Sequence, residues 1–96
     1  MLIVDKLALQ EGLSEGEKTL ARYILAHGME IAKYSTRSLA EVTYTSPPTV
    51  LRLCKKLGFT GFDDFKQNFV RELEYLDQQQ GTVDFNFPFA ENDSPM

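Results

Sequence analysis

The sequence has one cysteine, one histidine and no tryptophan among its 96 residues. A single cysteine, Cys54, excludes an internal disulfide and a multi-cysteine zinc site, and a single histidine argues against a histidine-based metal centre. No apolar run approaches the roughly 20 residues of a transmembrane helix, and the N-terminus is too short and too charged for a secretory signal. We therefore expect a cytoplasmic protein with no membrane span.

Motifs for catalysis are also missing from the sequence. There is no recognisable pair of nucleophile and base, no glycine-rich loop of the kind that holds phosphates, and no cluster of metal ligands. The adjacent carboxylates Asp63 and Asp64 would diverge by about 100° on a helix, so they do not form a catalytic pair. We expect neither an enzyme nor a bound cofactor or metal ion.

Charge is distributed unevenly along the chain. The formal net charge of the whole chain is -4. It is -2 for residues 1–32, +4 for residues 33–71 and -6 for residues 72–96. Because a local basic surface matters more to a polyanion than the total charge, the acidic total does not exclude a nucleic-acid partner.

The first 76 residues have the pattern of a helical domain. Hydrophobic residues make up 43% of the chain, which is enough to fold one small domain. Apolar residues recur at three- and four-residue spacing between serine caps and glycine stops, which predicts an all-α bundle of about five to six helices. The predicted helical segments are 2–10, 15–27, 29–34, 35–42, 47–57 and a last one that begins near residue 61. The candidate core residues at both ends of this domain are Leu2, Ile3, Leu7, Leu9, Leu20, Ala21, Ile24, Leu25, Phe62, Phe65, Phe69, Leu73 and Leu76.

The last part of the chain differs in character. Residues 77–96 contain glutamines, glycine and prolines and have no helical period, so we expect a linker or an extended arm there. Within this segment Phe85, Phe87 and Phe89 alternate with other residues. This alternation is compatible with a short strand or with a hydrophobic arm that docks on a neighbour.

Two short helices near the middle of the chain are candidates for a helix-turn-helix motif. In such a pair, apolar side chains of both helices must meet, and Leu39 and Ala40 on the first helix and Val50 and Leu53 on the second satisfy this requirement. The second helix of such a motif enters the major groove of DNA with its N-terminal half. The partner predicted by this pattern is double-stranded DNA.

The exposed positions of the second helix are the candidate DNA contacts. Ser46 caps the helix, and the side chains that could reach base edges are Ser46, Thr49 and Arg52. The candidate phosphate contacts are Lys33, Lys55 and Lys56. For Lys55 and Lys56, compensation of the helix dipole is an equally good explanation. The amide groups at the start of this helix are a further candidate phosphate site.

The longer sequence pattern resembles the N-terminal domain of the RpiR/MurR family of bacterial transcription regulators. The resemblance covers residues 1 to about 76 and rests on a serine-capped helix followed by leucine, glycine and phenylalanine at fixed spacing. The matching residues are Thr49, Val50, Arg52, Cys54, Lys55, Leu57, Gly58, Phe59, Gly61 and Phe62.

The resemblance implies a homeodomain-like helical bundle joined to a C-terminal sugar-isomerase-type domain. It also implies a homodimer or higher oligomer and a phosphosugar effector that binds in that second domain, which the present 96 residues do not contain. The linker predicted from residue 77 onward falls where the connection to that domain would begin. The function expected from the resemblance is a sequence-specific DNA-binding domain of a sugar-phosphate-responsive regulator.

The sequence departs from the family pattern in the turn and after the cap. Tyr44 occupies the turn position that usually holds glycine, so a left-handed backbone there would cost about 1 kcal/mol or more. Pro47 and Pro48 stand where polar or small residues are more common, and proline side chains cannot hydrogen-bond to bases. The alternative to DNA binding is a helical protein-interaction module, which the acidic tail and its phenylalanines would support.

Overall fold

The computed structural model describes residues 1–84, including the side chains of residues 1–78. In this part of the chain all regular structure is helical, as the sequence predicts. Residues 1–84 contain five α-helices and one 3₁₀ helix. They are α1 (Ile3–Leu9), α2 (Glu15–His27), the 3₁₀ helix (Gly28–Lys33), α3 (Thr36–Val42), α4 (Pro47–Lys56) and α5 (Phe62–Asp84).

Serine residues start three of the helices in the same way. The Ser14 hydroxyl accepts from the backbone amide of Glu17, and the Glu17 carboxylate accepts from the amide of Ser14, which completes the predicted capping box. Ser35 and Ser38 form a second capping box at α3, and Ser46 caps α4. Each cap satisfies amide groups that have no partner inside their own helix.

A carboxylate from the other end of the domain caps α1. Leu2, at its N-cap, forms no side-chain hydrogen bond. Instead the amides of Ile3 and Val4 donate to the Glu72 carboxylate of α5, at 2.7 and 2.9 Å. The first helix is thereby fastened to the last one by two charge-assisted hydrogen bonds.

The core is formed by residues of all five α-helices and of the 3₁₀ helix. Its centre is an aromatic row on α5, in which the ring of Phe65 stacks on the ring of Phe69 with the centroids 5.3 Å apart. The buried apolar residues of the described chain are Ile3, Leu7, Leu20, Ala21, Ile24, Ile31, Leu39, Ala40, Val50, Leu53, Cys54, Leu57, Phe62, Phe65 and Phe69. The aromatic stripe of α5 is therefore core packing.

Three of the predicted core residues are exposed instead. Leu2, Leu9 and Leu25 are 37%, 52% and 37% exposed. The short helix α1 turns only Ile3 and Leu7 inward, because residues four apart share one face. Leu2 and Leu9 therefore lie off the inward face of α1. Leu25 follows the buried Ile24 by one position, about 100° around α2, and so lies at the edge of the buried face of that helix.

The last helix is longer than the sequence suggests. It continues to Asp84, so residues 77–84 are helical, although the linker or arm was expected to begin at 77. Glutamine is a good helix former, and a single glycine in a helix costs only about 1 kcal/mol, so the run after residue 77 continues the helix. The phenylalanines at 85, 87 and 89, on which the protein-interaction alternative depends, lie outside the described residues.

Candidate nucleic-acid interface

The helix pair α3 and α4 has the burial pattern of a helix-turn-helix motif. Leu39 and Ala40 of α3 and Val50 and Leu53 of α4 are all buried, at 1% exposure or less. Helix α4 also packs against α2 and α5. This packing holds one face of α4 inside the bundle and leaves the opposite face open to solvent.

The turn between the two helices contains a left-handed residue. Tyr44 has φ +57° and its side chain is 96% exposed. The conformation that the family pattern suggests for this position is therefore present, although the residue is tyrosine. Hydrogen bonds on both sides hold the turn, because the Thr45 amide donates to the Ala40 carbonyl at 2.9 Å and the Thr43 hydroxyl donates to the Leu39 carbonyl at 2.8 Å.

The first turn of α4 has no free amide for a phosphate. Pro47 and Pro48 have no N–H, and the Thr49 amide donates to the Ser46 carbonyl at 2.9 Å and approaches its hydroxyl at 3.4 Å. The prediction that the N-terminal amides of α4 bind a phosphate is therefore not supported by residues 47–49, which have no free backbone donor.

The three predicted base-reading residues form one hydrogen-bonded row along α4. The hydroxyls of Ser46 and Thr49 lie 2.9 Å apart. The Nη2 atom of Arg52 donates to the Thr49 hydroxyl at 3.2 Å. Because these residues are three apart, they lie on one side of the helix. We call Ser46, Thr49 and Arg52 the polar row of α4.

A buried glutamate of α2 contacts the end of the polar row. The side chain of Glu17 is only 1% exposed, and its Oε2 atom lies 3.5 Å from Nε of Arg52. Its Oε1 atom accepts from the Lys56 ammonium at 2.7 Å. Burial by itself raises the pKa of Glu17, but the hydrogen bonds from Lys56 and Ser14 and the charges of Lys56 and Arg52 outweigh burial and lower it below its ordinary value.

Helix α2 approaches the start of α4 at a glycine. A Cβ atom at Gly16 would lie 3.3 Å from Cγ2 of Thr49 and 3.7 Å from Cγ2 of Thr45. The absence of a side chain at this position lets α2 lie directly against the polar row. Sequence reasoning assigned neither Gly16 nor Glu17 to the candidate site, because the packing of α2 on α4 has no signature in the local sequence.

The three predicted phosphate contacts differ in their surroundings. Lys55 lies exposed in the last turn of α4, and Lys33 lies exposed at the end of the 3₁₀ helix. Lys56 has two acceptors inside the protein, Glu17 and the Gly12 carbonyl at 2.9 Å. Its ammonium therefore ties α4 to the chain before α2.

Two further features of the described chain bear on function. Cys54 is buried, and burial raises the pKa of its thiol to about 12, so it packs as a small apolar residue. Within residues covered by the structure, no helix combines the length and apolar character needed to cross a membrane.

Comparison with known proteins decides the family. A family model described as "Helix-turn-helix domain, rpiR family" matches residues 2–75. The chain belongs to the RpiR family. It is thus a helix-turn-helix DNA-binding domain of the transcription-regulator type and not an enzyme.

Relatives of this RpiR-family domain are longer regulators. The chain is 33% identical over 66 residues to the HTH-type regulator YbbH of Bacillus subtilis. This alignment covers 69% of the present chain and 23% of YbbH. The chain is also 33% identical over 95 residues to HexR of Escherichia coli, covering 98% of this chain and 31% of that protein. The chain thus spans about a quarter to a third of the curated relatives it matches.

Solved structures agree with the sequence comparison. The structure of the N-terminal domain of the Bacillus subtilis regulator ybbH superposes with a TM-score of 0.68 at 30% identity, over 74% of this chain and 88% of that one. The structure of the Vibrio vulnificus NanR protein complexed with ManNAc-6P superposes with a TM-score of 0.71 at 30% identity, over 75% of this chain and 28% of that one. The all-α fold of this RpiR-family domain is that of a regulator's N-terminal domain.

Proposed function

We propose that this domain binds duplex DNA sequence-specifically as part of a sugar-phosphate-responsive bacterial transcription regulator. The observation that carries the proposal is the polar row of α4. A helix-turn-helix protein places the N-terminal half of its second helix in the major groove, and the polar row runs from the N-cap Ser46 through Thr49 to Arg52 at the middle of α4.

In this function, the polar row of α4 contacts base edges, and lysines bind the phosphates of the DNA backbone. Arg52 is the principal reader, because an arginine makes two parallel hydrogen bonds to guanine, worth about 1–3 kcal/mol of discrimination. Ser46 and Thr49 contribute shorter contacts. Lys33 and Lys55 bind phosphates without reading sequence, and Lys56 does so only by exchanging its contact with Glu17 for a phosphate oxygen.

The proposal assigns dimerisation and effector binding to a regulator of which this domain is one part. We propose a cytoplasmic homodimer in which two such domains read two half-sites, since one module alone reads only one. A phosphosugar effector would bind in a sugar-isomerase-type domain that follows the linker. This part of the proposal is supported by the NanR structure, which contains ManNAc-6P and is matched by the present chain over 28% of its length.

Substitutions of Arg52 and Lys55 distinguish residues that discriminate between bases from residues that bind phosphates. Arg52→Ala is expected to reduce discrimination between single-base-pair variants of a selected duplex by about 5- to 150-fold. Lys55→Ala is expected to weaken binding to all variants similarly and to lower the dependence of affinity on salt. The binding constants would be measured by fluorescence anisotropy from low to physiological salt.

The chain offers a matched control for the arginine. Arg22 on α2 is exposed and donates from Nη2 to the Thr19 hydroxyl three residues earlier, as Arg52 does to Thr49. Arg22→Ala removes the same charge and the same local bond from a helix outside the motif. If Arg22→Ala and Arg52→Ala reduced discrimination equally, the assignment of Arg52 as a base reader would be wrong.

A further inference from the structure

Capping alone does not account for the burial of Glu17. Its Oε1 atom accepts from the Ser14 amide at 2.9 Å, as in any capping box. Ser35 and Ser38 form the equivalent pair of capping hydrogen bonds at the start of α3, and both of those residues lie at the surface. A capping residue therefore does not need to be buried. The difference is that Glu17 reaches α4, where it contacts Lys56 through Oε1 and Arg52 through Oε2.

The contacts of Arg52 with described residues are made by Nε and Nη2 of its guanidinium group. An arginine has five N–H donors in a rigid plane. The Nε atom forms an ion-pair contact with Glu17 at 3.5 Å, and Nη2 donates to the Thr49 hydroxyl at 3.2 Å. Among the residues with described side chains, Nη1 has no partner, so Nη1 and the second hydrogen of Nη2 are left for the two parallel hydrogen bonds that guanine O6 and N7 accept.

We propose that Glu17 is a positioning residue for DNA reading, which fixes the guanidinium plane of Arg52 so that its Nη1–Nη2 end meets the base edge. This inference rests on the proposed function, because it assigns a role in specificity to a residue that does not touch DNA. A long arginine side chain that is 60% exposed would otherwise lose rotamer freedom on binding and would accept several bases. A buried carboxylate at its Nε reduces that freedom before DNA arrives.

Glu17→Gln separates positioning from capping. The amide oxygen of glutamine can replace Oε1 and keep the bonds from Ser14 and Lys56, and glutamine is itself suited to a capping box. The amide nitrogen then replaces Oε2 and presents a donor to the Nε donor of Arg52. Glu15→Gln is the matched control, because Glu15 is two residues away, is 90% exposed and, among the residues with described side chains, forms an ion pair with Lys18 alone.

The experiment measures discrimination with the full 96-residue chain. The probe is a duplex selected from a random-sequence library by the wild-type chain, together with its single-base-pair variants. Glu17→Gln is expected to reduce discrimination by about 2- to 10-fold at the base pair that Arg52→Ala also affects, as for two residues in contact. In an Arg52→Ala background, Glu17→Gln is expected to change discrimination no further.

Two results would overturn the inference. One is a Glu17→Gln variant that discriminates as well as Glu15→Gln does, while Arg52→Ala still loses discrimination. The other is an effect of Glu17→Gln that persists in the Arg52→Ala background. Thermal unfolding of every variant would show whether the fold is retained.

A second measurement keeps the inference testable without DNA. In NMR spectra of the free chain, the Nε–H of Arg52 is expected to exchange with water more slowly in wild type and Glu15→Gln than in Glu17→Gln, because the ion pair with Glu17 is lost. An unchanged exchange rate in Glu17→Gln would overturn the positioning role. Failure of the wild-type chain to select any duplex would instead count against the proposed function itself.

Discussion

Because the backbone at Tyr44 is left-handed, we expect Tyr44→Gly to have a larger free energy of unfolding than the wild-type chain. A non-glycine residue at φ +57° costs about 1–2 kcal/mol, and glycine removes this cost while adding about 0.5–1 kcal/mol of unfolded-chain entropy. Because the phenol is 96% exposed, little packing is lost with it. The difference spans about 0–1.5 kcal/mol, so Tyr44→Gly should stabilise the domain by about 0.7 kcal/mol, which corresponds to roughly 3–6 °C in Tm.

Tyr44→Ala is the control for this prediction. It removes the same phenol but keeps a Cβ in the left-handed conformation, so it should show no such gain. Thermal and urea unfolding of the three proteins would measure the difference between glycine and alanine directly. Equal stability of Tyr44→Gly and Tyr44→Ala would refute the claim that backbone strain, rather than side-chain contact, sets the stability at this turn.

Two further predictions concern carboxylates. Glu72→Ala leaves the first two amides of α1 without their acceptors, so it should destabilise the domain by about 1–3 kcal/mol in urea unfolding. Amide exchange in α1 should also become faster. The control is Glu74→Ala, at an exposed site on the same helix, which should change the stability little. The folded pKa of Glu17 lies below its ordinary value of 4.5, so Glu17 stabilises the fold above about pH 4.5 and this contribution is lost as the pH falls through the folded pKa. Stability measured from pH 7 to pH 3 should decline less steeply in Glu17→Gln, and parallel profiles of the two proteins would contradict this assignment.

The features that the sequence predicted well are local in origin. Serine caps, the proline at the start of α4 and the glycine stops depend on a few consecutive residues, so the helices were placed nearly correctly. The inward faces of α3 and α4 followed from helical spacing alone. The sequence also named Ser46, Thr49 and Arg52 as side chains that could reach base edges. Their hydrogen-bonded row is a finding of the structure, and their contact with DNA stays a prediction.

The features that the sequence missed depend on contacts between distant segments. Glu17 has the local signature of an exposed capping residue, and its burial comes from Arg52 and Lys56, which lie more than 30 residues later in the chain. The Glu72 cap of α1 joins the two ends of the domain in the same way. The extension of α5 to Asp84 was missed because glutamines and one glycine weaken the helical period without stopping the helix.

The central claim is that the polar row of α4 reads DNA sequence. The most direct test is fluorescence anisotropy of wild type, Arg52→Ala and Lys55→Ala against a selected duplex and its single-base-pair variants, over a range of salt concentrations. We expect Arg52→Ala to lose discrimination at one base pair, and Lys55→Ala to lose affinity for every variant with a smaller salt dependence. Full discrimination by Arg52→Ala, or equal effects of the two substitutions on every duplex, would contradict the account.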